Sequence, residues 1–264
     1  MKPGELHYHV GTDGSVATIT VDNAARYNAV SLAMWENMVR YVAQANNDPS
    51  VRVIVLRGAG EKAFVSGADI SEFATLRDSP EQVERYNNAV DAAQSALIES
   101  PKPVIAVIRG ICMGGGIGLA LSCDLRFCSH TSRFRMPAAR LGLGYDRKGL
   151  QRAVSVLGAA RTTDIFMTAR TFDGIEAQRI GMVHDSFADD EFDAQTNSRV
   201  EQVAQNAPLT LKAAKLAIRS AINDPQITDP GVVDAAVQAC FDSNDYREGR
   251  AAFSEKRLPR FTGR

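Results

Sequence analysis

Residues 66–70, "SGADI", and 114–118, "GGGIG", put nearly bare backbone at two places where an apolar run gives way to a helix-forming segment. Side chains this small leave the amide N–H groups unshielded, and a helix N-terminus adds partial positive charge. Two such turns brought together would offer a pair of backbone donors to an oxyanion, each worth roughly 3 to 4 kcal/mol in a transition state. The glycine run does not have the G-x-G-x-x-G spacing of a dinucleotide fingerprint, and Asp124 comes too early to serve as a ribose partner. It is not a phosphate loop either, because no Gly-Lys-Ser/Thr follows. The other reading open to these glycines is close packing of a helix start against a strand. Some such reason is needed, since each glycine inside a helix costs about 1 kcal/mol relative to alanine.

The elements that must carry these turns can be read from periodicity. Residues 16–21, "VATITV", alternate as a strand does. Ser31 is placed to cap a helix in which Leu32, Trp35, Val39 and Val42 share a face, and "NNDP" at 46–49 stops it. "VRVIVL" at 51–56 and "VIAVI" at 104–108 read as buried strands, the second leading straight into the glycines. Between them, residues 80–100 read as a helix. "LRFC" at 125–128 is a short strand, and "MPAARLGLGYDRKG" at 136–149 is loop-like. Beyond about residue 148 helical patterns dominate, with one strand candidate at 182–184. Val200, Val203, Ala204 and Ala207 have helical spacing before Pro208, and Leu211, Ala214 and Ile218 have it afterwards. No repeat or low-complexity tract appears, and no Gly/Ser-rich linker separates the halves. The expected organisation is an α/β core at 1–200 followed by a helical region at 201–264.

The chain of 264 residues is long enough for a sizeable core, and its 45% apolar and 23% charged residues are ordinary for a soluble globular protein. A formal charge of -1 gives no reason to expect nucleic acid or a membrane surface as a partner. The segment "MKPGELHYHV" has no signal-peptide pattern and no apolar run is long enough to span a bilayer, so a cytoplasmic protein is expected. Cys112, Cys123, Cys128 and Cys240 lack C-x-x-C spacing and read as core residues. His7, His9, His130 and His184 form no ligand cluster, so no metal site is expected.

Taken with "PKPVIAVIRG" before the glycines, "SCDLRF" after them, "FDGIEAQRIGMV" further on and "FSEKRLPRF" near the end, the paired loops resemble the crotonase superfamily, the enoyl-CoA hydratase/isomerase family, over roughly residues 10–260. The resemblance implies an α/β fold built as a spiral of ββα units, with a C-terminal helical trimerisation region and assembly as a homotrimer or homohexamer. It implies coenzyme A thioesters as substrates, with coenzyme A entering as part of the substrate and no permanently bound cofactor. The oxyanion-hole amides fall on Ala68 and Gly115, and Asp69 and Ile70 adjoin the first of them in the thioester-binding loop. Arg26, in "ARYNAV", and Lys256, in "FSEKR", are implied to contact the coenzyme, Lys256 from a neighbouring subunit. Phe253 is implied either beside that contact or in the trimer interface.

Hydratases of this family use two glutamates, and the positions that match them here are Gly118 and Ala138. Water addition to a conjugated thioester needs a base for the water and an acid for the α-carbon, and such transfers are worth ~10² to 10⁴-fold in rate. Tyr145 and Asp146 are the candidates left to handle protons. Some decarboxylating members carry a tyrosine at the position of Tyr145, and dehalogenase-like and isomerase-like members carry a functional aspartate at that of Asp146. From the residues alone, Tyr145 is a proton donor or an aromatic wall, and Asp146 is a base or a helix N-cap. The expectation is an enzyme that stabilises a thioester enolate, with isomerisation and decarboxylation level and both ahead of hydration. The alternatives are a non-catalytic subunit that binds coenzyme A thioesters, and a hydratase with unusual acid and base groups.

Overall fold

The computed structural model describes residues 4–72, 78–222, 229 and 231–264. Ten strands form two sheets: β1 (Glu5–Val10), β2 (Val16–Asp22), β3 (Val53–Gly58), β4 (Ala63–Val65), β5 (Val104–Ile108), β6 (Ile111–Met113), β7 (Leu125–Ser129), β8 (Arg133–Arg135), β9 (Thr171–Asp173) and β10 (Asp185–Phe187). The larger sheet runs β1-β2-β3-β5-β7-β10 and the smaller β4-β6-β8-β9. Pairing is parallel except between β1 and β2 and between β8 and β9. Each turn of the chain lays one strand in the larger sheet and the next in the smaller, as β3 then β4, β5 then β6, and β7 then β8. This repeated step is a spiral of ββα units, and it stacks the strand-to-helix turns that follow β4 and β6.

The larger sheet is covered on both faces, so its strands read as unbroken apolar runs. Ile54, Leu56, Val104, Ala106 and Ile108 face the main core. Val53, Val55, Ile105 and Val107 face the other way, under Phe192, Val200 and Ala204. Those last residues belong to the helix Phe192–Ala204, which runs through residue 200.

Helix α1 (Leu32–Asn47) starts where Ser31 accepts a hydrogen bond from Met34 N. Its buried residues are Leu32, Met34, Trp35, Met38, Val42 and Ala45, and Val39 is exposed. The expectation for Val39 is therefore corrected, since Met34 and Met38 take the inward places. Helix α2 (Pro80–Glu99) packs against α1, burying Tyr86, Ala93, Gln94 and Leu97. Helix α3 (Gly115–Leu121) begins inside the glycine run. The segment expected as loop after β8 contains helix α4 (Ala138–Leu141), and α5 (Arg147–Thr168) follows, bent at Gly158, where φ is 73°. After α6 (Gly174–Arg179) the expected strand at 182–184 lies three residues later, as β10. Met182 and Val183 are buried in the main core instead of pairing.

Helix α7 (Phe192–Ala204) is followed by α8 (Pro208–Ala221), α9 (Gly231–Asp242) and α10 (Asn244–Glu255). Lys215 of α8 donates to Asp124 Oδ2 at 2.7 Å and fastens that helix to the core. No helix among the described residues is long and apolar enough to cross a membrane. Cys112, Cys123 and Cys128 are buried free thiols, and Cys240 is half-buried.

Candidate active site

The turns that follow β4 and β6 meet. Gly67 has φ of +124° and Gly114 of +51°, both in the region that favours glycine. A Cβ built on Gly115 would lie 3.7 Å from Ala68 N, and one on Gly67 would lie 3.7 Å from Gly115 N. The two stretches read from sequence are thus close enough that a single added carbon on either would touch the other. Neighbouring amides are already used, Gly114 N by Arg135 O and Asp69 N by Val30 O. Among the described residues, no protein acceptor takes Ala68 N–H or Gly115 N–H.

Both residues line a cavity of about 240 Å³. Its apolar wall comes from Trp35, Val90, Met136, Leu141 and Leu143, and its other side from Gln94, Tyr145 and Asp146. Trp35 is fixed from behind, with Nε1 donating to Tyr86 Oη at 3.2 Å. The fit is tight where helix meets strand. A Cβ on Gly116 would come within 2.1 Å of Val65 O, so this glycine serves packing, the second of the readings open to the run.

Gly118 faces a different neighbour. A Cβ there would meet Gln94 Nε2 at 2.6 Å and Tyr145 Oη at 3.5 Å, so a glutamine amide from α2 fills the place a side chain would take. Gln94 Oε1 accepts a short hydrogen bond from the Arg152 guanidinium of α5. Ala138 also borders the cavity and is buried.

Tyr145 is half-buried and packs edge-on against Phe166, with ring centroids 5.0 Å apart. Burial, with the nearby Asp146 charge adding to it, pushes the phenol up to about 12, so it is a proton carrier in its neutral form. Asp146 is exposed, and its Oδ1 accepts from Gly149 N at 2.6 Å, which makes it the N-cap of α5. Among the described residues lining the cavity it is the one carboxylate.

The structure divides the residues expected from sequence into three groups. Ala68, Ile70, Gly115, Tyr145 and Asp146 come together around the cavity. Arg26 and Asp69 lie beside it as an ion pair, Nη1 to Oδ2 at 2.5 Å, with Ser71 Oγ on the same guanidinium. Burial alone would raise the Asp69 carboxyl, but hydrogen bonds from Ser71 and Arg26 outweigh it and hold the group below its ordinary value. Phe253 and Lys256 do not border the cavity. Phe253 is 88% exposed and lines a separate apolar cleft of about 600 Å³ between α8, α9 and α10. Sequence reasoning missed Trp35 as a cavity wall, and missed Gln94 and Arg152 altogether. Gln94 had a usable signal, a polar residue on the buried stripe of α2 beside Ala93 and Leu97.

Known proteins resemble the chain over nearly its whole length. Residues 11–264 match the family model described as enoyl-CoA hydratase/isomerase. The chain is 31% identical over 245 residues to the short-chain-enoyl-CoA hydratase of Clostridium acetobutylicum, covering 93% of each. It is 31% identical over 264 residues to the peroxisomal Delta(3,5)-Delta(2,4)-dienoyl-CoA isomerase of Arabidopsis thaliana, covering 95% of this chain and 94% of that one. Among solved structures, an enoyl-CoA hydratase/carnithine racemase from Magnetospirillum magneticum superposes with a TM-score of 0.87 at 35% identity, covering 95% of this chain and 93% of that one.

Proposed function

The chain belongs to the enoyl-CoA hydratase/isomerase family, and from that premise we propose that it makes and protonates a thioester enolate without a carboxylate base. The observation that carries this reading is the pair of unclaimed amides, Ala68 and Gly115, on the wall of one cavity. The thioester carbonyl oxygen of an acyl-CoA would accept from both. Their attraction grows as negative charge moves onto that oxygen, so they favour the enolate over the ground state.

Forming the enolate requires an electron pair at the α-carbon. Asp146 is engaged at Gly149 N, and the Tyr145 phenol holds its proton, so neither is a ready base. Loss of CO₂ from a malonyl-type thioester supplies the pair without one. The bond from the α-carbon to the carboxylate breaks, CO₂ leaves, the bonding electrons enter the enolate, and Tyr145 donates its phenolic proton to the carbon and regains one from water. The second reading is double-bond isomerisation, with Asp146 leaving its cap to move a proton. It is supported by the place of Asp146 on the cavity wall and by the dienoyl-CoA isomerase among the relatives. Hydration would need both a base and an acid at Gly118 and Ala138, which carry none.

The exposed apolar side chains of the C-terminal helices, Phe253 and Phe241 among them, support self-association through that region as a homotrimer or homohexamer. Lys256, next to Phe253, would then reach the coenzyme of a neighbouring subunit.

Incubation with enoyl-, malonyl- and methylmalonyl-CoA, with products separated by liquid chromatography and identified by mass spectrometry, tests the reading. CO₂ loss that is retained in Asp146→Asn and depressed in Tyr145→Phe is expected. Shift of a double bond that disappears in Asp146→Asn would establish the second reading. Water addition at an enzymatic rate in the Tyr145→Phe/Asp146→Asn double variant would overturn both.

A further inference from the structure

Gln94 is 6% exposed, lies on the buried face of α2 and borders the cavity. Arg152 can only donate, so its bond to Oε1 fixes which way the carboxamide points and turns Nε2 toward Gly118. Among the described residues no protein group accepts from Nε2, nor does one accept from Tyr145 Oη. A donor that faces the cavity with no protein acceptor is costly to cover with apolar surface, whereas a ligand oxygen would satisfy it. The missing side chain at Gly118 makes room for this amide, and Gln94 and Tyr145 both line the cavity beside it. An apolar acyl chain placed there would strand both donors.

We propose that Gln94, oriented by Arg152 and joined by Tyr145, forms a subsite for an acceptor oxygen on the acyl group, beyond the thioester carbonyl. The ligand class is an acyl-CoA with a carboxylate or a ketone on its acyl chain, in preference to a purely hydrocarbon one. A carboxylate and a ketone share the acceptor chemistry. Arg152 reinforces it from the far side of the amide, since a guanidinium on Oε1 polarises the Nε2 hydrogens further. Gln94 is a specificity residue in this account and Arg152 a positioning residue. The inference rests on the binding of acyl-CoA thioesters proposed above.

The test is equilibrium binding of malonyl-CoA, acetoacetyl-CoA and isovaleryl-CoA to the full-length protein, with each ligand checked for conversion at the end point. Isovaleryl-CoA matches malonyl-CoA in branching and size but carries no oxygen on the chain. Expected is tighter binding of at least one oxygenated ligand by about 10-fold or more, the worth of one hydrogen bond to a charged or polar group. Gln94→Met should erase that preference and leave isovaleryl-CoA affinity as it was. Arg152→Met should erase it in part, and Arg152→Lys, which restores a donor, should recover it. Tyr145→Phe gives a second route to the same result if Gln94→Met does not fold. Equal affinity for all three ligands in the unaltered protein would overturn the subsite alone. So would equal losses for all three in Gln94→Met. Failure of every thioester to bind would overturn the thioester reading itself, which is a different outcome. Preference for malonyl-CoA alone, or for acetoacetyl-CoA alone, would support the subsite and say whether charge or geometry dominates.

Discussion

A methyl group at position 115 would stand 3.4 Å from Trp35 Cζ2 and 3.7 Å from Ala68 N. The first distance is tight but tolerable for the fold, whereas the second falls where the proposed function places a thioester oxygen. Gly115→Ala is therefore expected to lower kcat/KM by about 10² to 10³-fold, the loss typical of one oxyanion donor, with little change in the unfolding midpoint. Steady-state kinetics beside a urea titration checks both halves. Loss of activity in step with loss of stability would mean that Gly115 serves packing alone. Tyr145 makes a separate prediction. Burial and the nearby Asp146 raise its phenol to about 12, above the ordinary 10.0, so its proton is retained as pH rises through 10. Turnover should hold through pH 10 and fall only near the raised value, and Tyr145→Phe should cost about 10² to 10⁴-fold at every pH below it. A profile that drops with a midpoint at 10 would place the titrating group elsewhere.

At the scale of elements, the contact between α3 and β4 is set by one missing side chain. Gly116→Ala would drive a methyl to 2.1 Å from Val65 O, and neither backbone can give way cheaply. The variant should lose about 1 to 3 kcal/mol or more, read as a fall in the urea midpoint at unchanged slope. The larger sheet was legible because "VRVIVL" and "VIAVI" are apolar on both faces, and α1 and α2 because Ser31 and Pro80 mark their starts. The smaller sheet was not. Its strands have three residues each, too few for alternation to register, and they pair only because the chain has already wound around the larger sheet. β1 does carry that signal, Glu5, His7 and His9 alternating with Leu6, Tyr8 and Val10 as on an edge strand, with Leu6 buried against the core. The two small-residue turns at Ala68 and Gly115 could be read from the sequence, but the place of Gln94 beside them could not. A polar residue on an apolar helix face announces a partner without naming it, and Arg152 lies 58 residues away.

For the molecule as a whole, Lys215 and Arg52 tie the described C-terminal segment to the core, and apolar side chains such as Phe241 and Phe253 face outward. Phe253→Asp should lower the mass found by analytical ultracentrifugation if that surface joins copies of the chain, and an unchanged mass would show that it does not. The final residues are tied down by charge. Glu248 receives both guanidinium Nη groups of Arg257, at 2.6 and 2.9 Å, and Arg260 N at 2.8 Å. These contacts, Arg257 foremost, bring its carboxyl from 4.5 to about 2. A depressed carboxyl contributes stability above its unfolded value and loses it as pH falls, so the tether should weaken between about 4.5 and about 2. Hydrogen exchange should show residues 257–260 opening in that window ahead of the sheets, and Glu248→Gln should abolish their pH step, since Thr262 and Gly263 are held separately by Asp245. Two sheets are wound so that two turns meet, and on the proposed reading those turns grip one carbonyl. The measurement that tests it most directly is isotope-edited infrared spectroscopy of isovaleryl-CoA carrying ¹³C at its thioester carbon. The account predicts a carbonyl stretch moved to lower frequency on binding, with the shift lost in Gly115→Ala; a bound thioester with the frequency it has in water would contradict it.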